Sequence, residues 1–375
     1  MFRTDGRLAD GRTIRWYDRE EGREAVPDRR DLPETTPMSQ LRYDVLTDEY
    51  IVLAAHRQNR TFMPPANECP LCPSRPDYAS EVPSEDYEVA VFDNRFPALS
   101  DAVTGVEEID DPLFASAPAY GACEVVCFSS NHKASFKDLS LEQARLVVDT
   151  WADRTRELSA RESVEYVYPF ENRGAEIGVT LPHPHGQIYA YDMVPPRARK
   201  ELDAARRHHS RTGRNLFGDI LSRELAEGSR IVAQNATWVA FVPFAARWPV
   251  EVHLYPRRQT PDLAALDEAQ RDGLAELYRD VLGRFDAMYD APLPYISAWQ
   301  QAPAKGDHPD RRLAWLHVEL FSIRRSADKL KYLAGTESGQ GAFSNDVSPE
   351  AVAQRLREVG DAFDAGSGRE VGESS

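Results

Sequence analysis

Long apolar runs are missing from this 375-residue chain, and cysteine is scarce, with four residues. No stretch approaches the ~20 apolar residues of a membrane-spanning helix. The opening Met1-Phe2-Arg3-Thr4-Asp5-Gly6-Arg7 lacks the apolar segment of a signal peptide, so a soluble, cytoplasmic protein is expected. The cysteine usage does not suggest a secreted disulfide framework. Cys123 and Cys127 lie in a strand-like run, Ala122 to Phe128, and read as small core residues. A positive balance is absent too: 61 acidic residues against 45 basic give a net charge of −16. That disfavours nucleic-acid backbones and anionic membranes as partners, while leaving room for a small anion wherever cations gather. No G-x-G-x-x-G or Walker loop occurs, so neither device holds a phosphate here. What is present, 42% hydrophobic residues with 15 Tyr, 15 Phe and 6 Trp, suffices for a sizeable core. The length suits about two to three domain-sized units or one large α/β unit.

Residues 1–40 are charged and contain Pro and Gly, with one short strand candidate, Thr13–Tyr17; they read as an arm over the fold. Strands follow at Leu41–Tyr43, Tyr50–Ala54, Glu88–Phe92, Cys123–Phe128, Val164–Phe170 and Gly186–Ala190. Ser140 to Ser159 reads as a helix with a Ser N-cap and an apolar face of Leu146, Val147 and Leu158. After Pro195-Pro196 comes a basic helix, then strands at 237–244 and 250–255, and a long helix from Asp262 to Tyr289. Strands at Tyr295–Gln300 and Leu316–Phe321, a closing helix from Pro349 to Phe363 and a disordered tail over 364–375 complete the chain. The second half thus echoes the first: each long helix is followed by two strands, the second carrying polar residues two apart. The order predicts an α+β fold of duplicated units, 41–215 and 216–363, with mostly antiparallel sheet and helices on one face.

The most informative stretch is His183-Pro184-His185-Gly186-Gln187, which holds two of the nine histidines. In a strand, residues i, i+2 and i+4 face the same way, so His183, His185 and Gln187 share a side. Pro184 and Gly186 are poor strand formers, which favours a site over a surface strand with chance histidines. A neutral imidazole attacks phosphorus at pH 7 with little activation, and a Gln187 amide on the same face suits a non-bridging phosphate oxygen. Cys69-Pro-Leu-Cys72 has a spacing that suits zinc or, less readily, a redox pair. His132 and His183 are available to complete a Cys₂His₂ set, although His132 alone reads as a loop histidine. Such a site would clamp the Cys loop to the strand of His185. Arg57 and Arg60, three apart beyond a strand, suit bidentate phosphate contact or simply face solvent.

With these residues goes an ordered series: Arg42-Tyr43, His56-Arg57-x-x-Arg60, Cys69-Pro-Leu-Cys72, Val91-Phe92-x-Asn94-x-Phe96, Phe170-Glu171-Asn172-x-Gly174, Gly178 to Gln187, and Lys331 to Gly335. The series resembles the galactose-1-phosphate uridylyltransferases, of the histidine-triad superfamily, over roughly residues 41–363. The resemblance implies a ping-pong exchange of UMP between UDP-glucose and galactose 1-phosphate through a uridylyl group on His185, with Gln187 holding the phosphoryl group. A sugar-nucleotide phosphorylase, or a nucleotidyltransferase for another sugar or base, is the competing function on the same scaffold. It further implies structural zinc on Cys69, Cys72, His132 and His183. Asn94, Asn172, Gly178, Thr180 and Gln187 would surround UMP, Thr180 standing where many members carry Ser. Arg57, Arg60, Lys331, Tyr332 and Glu337 would reach the hexose phosphate across a homodimer with shared active sites. A second metal in the family uses one Glu and three His; here Glu201 and His317 match it, while Gln300 and Glu319 stand where two histidines would be.

Overall fold

The computed structural model describes residues 1–34, 36–59 and 64–367. In chain order the first half contains β1 (Phe2–Arg7), β2 (Thr13–Asp18), β3 (Gln40–Asp44), β4 (Glu49–Leu53), β5 (Val89–Asp93), β6 (Ser116–Pro118), β7 (Gly121–Cys127), α1 (Leu141–Ser159), β8 (Tyr166–Arg173) and β9 (His185–Tyr191). The bridging helices α2 (Pro196–Thr212) and α3 (Leu216–Glu227) follow. The second half contains β10 (Ile231–Gln234), β11 (Trp238–Phe241), β12 (Val250–Pro256), α4 (Glu268–Ala287), β13 (Tyr295–Gln300) and β14 (His317–Ser322). A short hairpin, β15 (Arg324–Ser326) with β16 (Lys329–Leu330), then α5 (Gly335–Gln340) and α6 (Pro349–Ser367) close the chain.

Eleven strands form one sheet in the order β1-β2-β5-β7-β9-β8-β13-β14-β12-β11-β10. Its neighbours are all antiparallel. Outward from the β8–β13 seam, one half runs β8, β9, β7, β5 and the other β13, β14, β12, β11. Each half is therefore strand–strand–helix–strand–strand in the chain, the duplication that the sequence order suggests. In each, a long helix joins two strands that flank a third, so it must cross one face of the sheet. Within the expected N-terminal arm, β1 and β2 are strands of the sheet itself, and Ile14, Trp16 and Tyr17 on β2 are buried. At the other end α6 runs on through residues 364–367 of the expected tail; residues 368–375 lie outside the described residues.

Helix α1 starts where Ser140 accepts a hydrogen bond from the Gln143 amide, and it buries Leu146, Val147, Trp151 and Leu158. Helix α4 begins six residues later than its apolar pattern suggests. Asp262 caps a 3₁₀ turn at Leu263–Ala265, and Asp267 with Gln270 then forms a capping box that opens α4. Trp151, Phe136, Tyr278 and Trp299 pack ring on ring between these helices and the sheet. Residues of α1, α4 and α6 share this core with Val126, Ile188, Val252, Val318 and Trp299 from the strands. The helices do not all share that face. Ala205 of α2 with Phe217 and Leu221 of α3 pack on Val239, Phe241 and Tyr255, strand residues that alternate with the core-facing Trp238, Ala240 and Leu254. The second face also carries a small sheet, β4-β3-β6, whose Leu41 joins Cys123 and Tyr189 in a cluster.

Candidate active site

One rung of the sheet positions the site. Val125 pairs with Gln187, Gln187 with Phe170, Phe170 with Ala298, Ala298 with Glu319 and Glu319 with His253. Residues directly opposite in antiparallel pairs point to the same side, here away from α1 and α4. Gln187 and Glu319 are thus equivalent about the seam, and so are His185 and His317. The likeness extends to the rings: the Nδ1 of His185 lies 2.8 Å from the His183 carbonyl oxygen, and the Nδ1 of His317 lies 2.8 Å from that of Trp315.

In His185 the Nδ1–H donates to that carbonyl, which leaves Nε2 with the reactive lone pair. Burial lowers the imidazole's pKa below 6.5, opposed by the bond to His183, so the ring is neutral at pH 7. Gly186 faces the other way; a Cβ there would stand 2.9 Å from both the Phe128 ring and the Phe170 carbonyl oxygen. His185 lines two cavities of about 400 and 410 Å³ that share Thr180, Leu181 and the ring itself. The first is bounded by Glu171 and Asn172 of β8 and by Gly174 and Val179 from the β8–β9 loop. The second contains Phe92, Asn94, Phe96, Tyr78, Arg95 and Gln187. One chamber is thus rich in aromatic and amide groups, the other is lined by β8, the β8–β9 loop and His183, and the His185 ring is shared by both.

Beside it, Cys69, Cys72, His132 and His183 bring one ligand atom each to within 4.8 Å of one another. The Cys72 Sγ is 3.4 Å from His132 Nδ1 and 3.5 Å from His183 Nδ1. On the far side of the His183 ring, Nε2 is 2.9 Å from the Ser129 carbonyl oxygen and 2.8 Å from the Tyr87 hydroxyl, which itself donates to the Leu71 carbonyl. Those contacts fix the proton on Nε2 and leave Nδ1 for a metal. Burial, helped by His185 and His132, drops the His183 pKa to about 3, and burial beside Cys69 pushes the Cys72 thiol up to about 12. Two buried thiols facing the Nδ1 atoms of two histidines are the donor chemistry of a soft divalent cation, so these residues fit a metal.

The remaining predicted residues are dispersed. Asn94, Asn172 and Thr180 line the cavities; Gly178, at φ +83°, closes the 3₁₀ turn before Thr180 and lines neither. Arg57 donates to the Tyr189 hydroxyl at 3.1 Å, farther along the same face, and Arg60 falls outside the described residues. Lys331, Tyr332 and Glu337 do not line either cavity; Lys331 faces Glu337 at 3.7 Å and Tyr332 is 69% exposed. Glu201, His317 and Glu319 do meet, with their ligand atoms within 4.8 Å. The sequence reading missed Tyr87, which anchors His183, and Arg197, Glu251 and His253, which surround Glu319. Val-Glu251-Val-His253 carries the same two-apart polar signal in an apolar strand as His183 to Gln187 and was readable on that ground.

Residues 30–195 match the galactose-1-phosphate uridyl transferase N-terminal domain and residues 201–365 its C-terminal domain. The galactose-1-phosphate uridylyltransferase of Streptomyces lividans is 46% identical, over 97% of this chain and 99% of its own. That of Thermotoga maritima is 36% identical, over 86% and 99%. Among solved structures, a uridylyltransferase superimposes with TM-score 0.77 at 34% identity, over 86% of this chain and 99% of its own. An ADP-glucose phosphorylase from Arabidopsis thaliana, at 22% identity and TM-score 0.64 over 86% and 99%, shares the fold. Two matched domains that span both halves of the sheet, and relatives matched almost end to end, place this chain in the galactose-1-phosphate uridylyltransferase family.

Proposed function

We propose that the chain is a UDP-glucose:hexose-1-phosphate uridylyltransferase that moves UMP between UDP-glucose and galactose 1-phosphate. The observation that carries this reading is the neutral His185, held by Nδ1, at the junction of two cavities. Its Nε2 attacks the α-phosphorus of UDP-glucose; an N–P bond forms as the P–O bond to glucose 1-phosphate breaks. The phosphate oxygen of galactose 1-phosphate then attacks the same phosphorus, and the P–N bond breaks to release UDP-galactose. Two displacements with good leaving groups replace one direct transfer. The His183 carbonyl stabilises the positive ring that forms, and Gln187 offers amide hydrogens to the phosphoryl oxygens. Phe92, Asn94 and Phe96 suit the nucleoside of UMP, and Asn172 and Thr180, beside His185, suit its phosphate.

Zinc is the metal that suits Cys69, Cys72, His132 and His183, and with four protein ligands its part is structural, pinning the Cys loop beside His185. A homodimer with shared sites is supported by two features. Lys331, Tyr332 and Glu337 stand apart from the chain's own cavities, and β3, β4 and their surroundings expose Leu46, Tyr50, Ile51, Leu53 and Phe114. The test is incubation with UDP-glucose labelled in the α-phosphate. Acid-labile label on the wild type, none on His185→Gly, and transfer to galactose 1-phosphate rather than to inorganic phosphate are expected. Normal exchange by His185→Gly would sink the reading, and discharge by phosphate alone would point to a phosphorylase.

A further inference from the structure

The C-terminal image of the active site is a cavity of about 370 Å³ lined by Arg197, Glu201, Glu251, His253, His317 and Glu319 among others. Glu201 and Glu319 come from different elements, α2 and β14, and both lie in a largely apolar wall that includes Phe217, Phe241 and Tyr255. Two carboxylates brought this close in such surroundings need a cation or a shared proton between them.

That cation is already covalently part of the chain. Arg197, one turn before Glu201 on α2, places its Nε 2.7 Å from Glu201 Oε1, and its Nη2 is ion-paired with Glu319 Oε1. A planar guanidinium suits two carboxylates at once. The other groups are also committed. His253 Nε2 is 2.9 Å from Glu251 Oε1 and 3.8 Å from Glu319 Oε1. Gln300 accepts from the Tyr166 hydroxyl at 3.2 Å through Oε1 and turns its amide nitrogen toward Glu319 Oε2 at 3.5 Å. It thus presents a donor where a metal would need a lone pair. His317 Nε2 stands 3.7 Å from Glu201 Oε2. The second metal that the resemblance brings to this place does not fit the residues as they stand, because a dication would be set against the guanidinium and against an amide N–H.

We propose that Arg197 is the resident cation of this cluster, and that its guanidinium closes a divalent-metal site which Glu201, His317 and Glu319 would otherwise form. The short reach from one helical turn to the next lets Arg197 bridge α2 to β14, a structural link that needs no metal supply.

The experiment counts metal. Full-length protein is stripped with chelator, reloaded with excess Zn²⁺ or Co²⁺, desalted and analysed by mass spectrometry for metal per chain. Wild type and Glu319→Gln are expected to retain the same amount. Arg197→Ala is expected to retain one further equivalent, visible with Co²⁺ as added d–d absorption, and Arg197→Ala/Glu319→Ala to lose it. Only differences between variants are read, so occupancy of the Cys69–Cys72 site cancels. An equivalent in wild type that disappears in Glu319→Gln would overturn the proposal. So would a folded Arg197→Ala with no gain. Should Arg197→Ala fail to fold, the comparison of wild type with Glu319→Gln still decides whether metal or arginine occupies the cluster.

Discussion

His185 has one nitrogen committed to a carbonyl of its own chain and the other presented to the cavities. Burial lowers its pKa from 6.5, so the midpoint of the fall in enzyme uridylylation with falling pH is expected below 6.5. Single-turnover labelling across pH 5–8 checks this; a midpoint above 6.5 would contradict it. The sign for stability is the same. The unfolded chain takes up a proton that the folded ring resists, so this contribution is present above 6.5 and lost as pH falls. At this scale part of the site was legible, since strand period put His185 and Gln187 on one side; His183 precedes β9 and meets Cys72 from a bend, which strand period does not describe. Gly186 was legible as an oddity, and its reason, the Phe128 ring and Phe170 carbonyl against its α-carbon, is tertiary. Tyr87 was not, because nothing local distinguishes a tyrosine that anchors a ligand from one that fills a core.

Elements were legible where a cap and an apolar face coincide, as in α1, and less so where charge hides in that face. Arg154 on α1 and Glu124 on β7 both have fully buried side chains and form two hydrogen bonds, at 2.9 and 2.8 Å. Read from sequence, each would be placed in solvent. Glu124→Ala leaves the buried guanidinium with Glu157 as its remaining carboxylate and is expected to cost up to about 3–5 kcal/mol, whereas the double change Glu124→Leu/Arg154→Met should be milder. Denaturant unfolding of the two variants checks the order. Strand β1 was missed because Phe2 is its sole large apolar residue, and its pairing with β2 supplies what its own pattern lacks. The Cys loop is tied to β9 through His183. With metal at a hundred times its Kd the folded state gains about 2.7 kcal/mol. Chelator is therefore expected to lower the melting temperature of the wild type and to leave that of Cys72→Ser, already lowered, unchanged in a thermal scan.

For the whole molecule, the duplicated order of strands and helices was legible; the β8–β13 seam, which joins residues more than a hundred apart, was not. Glu171 sits in that seam opposite Ser297, accepting from the Tyr295 hydroxyl at 2.7 Å and the Tyr278 hydroxyl at 3.3 Å. Burial raises its pKa to about 7, opposed by Tyr295, Arg173 and Tyr278. A carboxyl whose folded pKa exceeds its unfolded one stabilises fully below the unfolded value near 4.5, and the gain is lost as pH rises through 7. Glu171→Gln is therefore expected to gain on the wild type as pH rises, by up to about 3 kcal/mol at pH 8. Parallel denaturant titrations at pH 6 and pH 8 would show it, and an equal gap at both would refute it.

The rung from Val125 to His253 locks both halves into a common phase. A slip of one residue at the seam would invert everything beyond it, driving Glu319 and His253 into the oily layer beneath α4 while turning Trp299 and Val318 into the cavity that Arg197 and His317 line. Neither half can drift out of step without exchanging its cavity-bearing side for its close-packed one, so the arginine-closed cavity and the histidine-bearing cavities stay on the same side of the sheet as long as the fold exists.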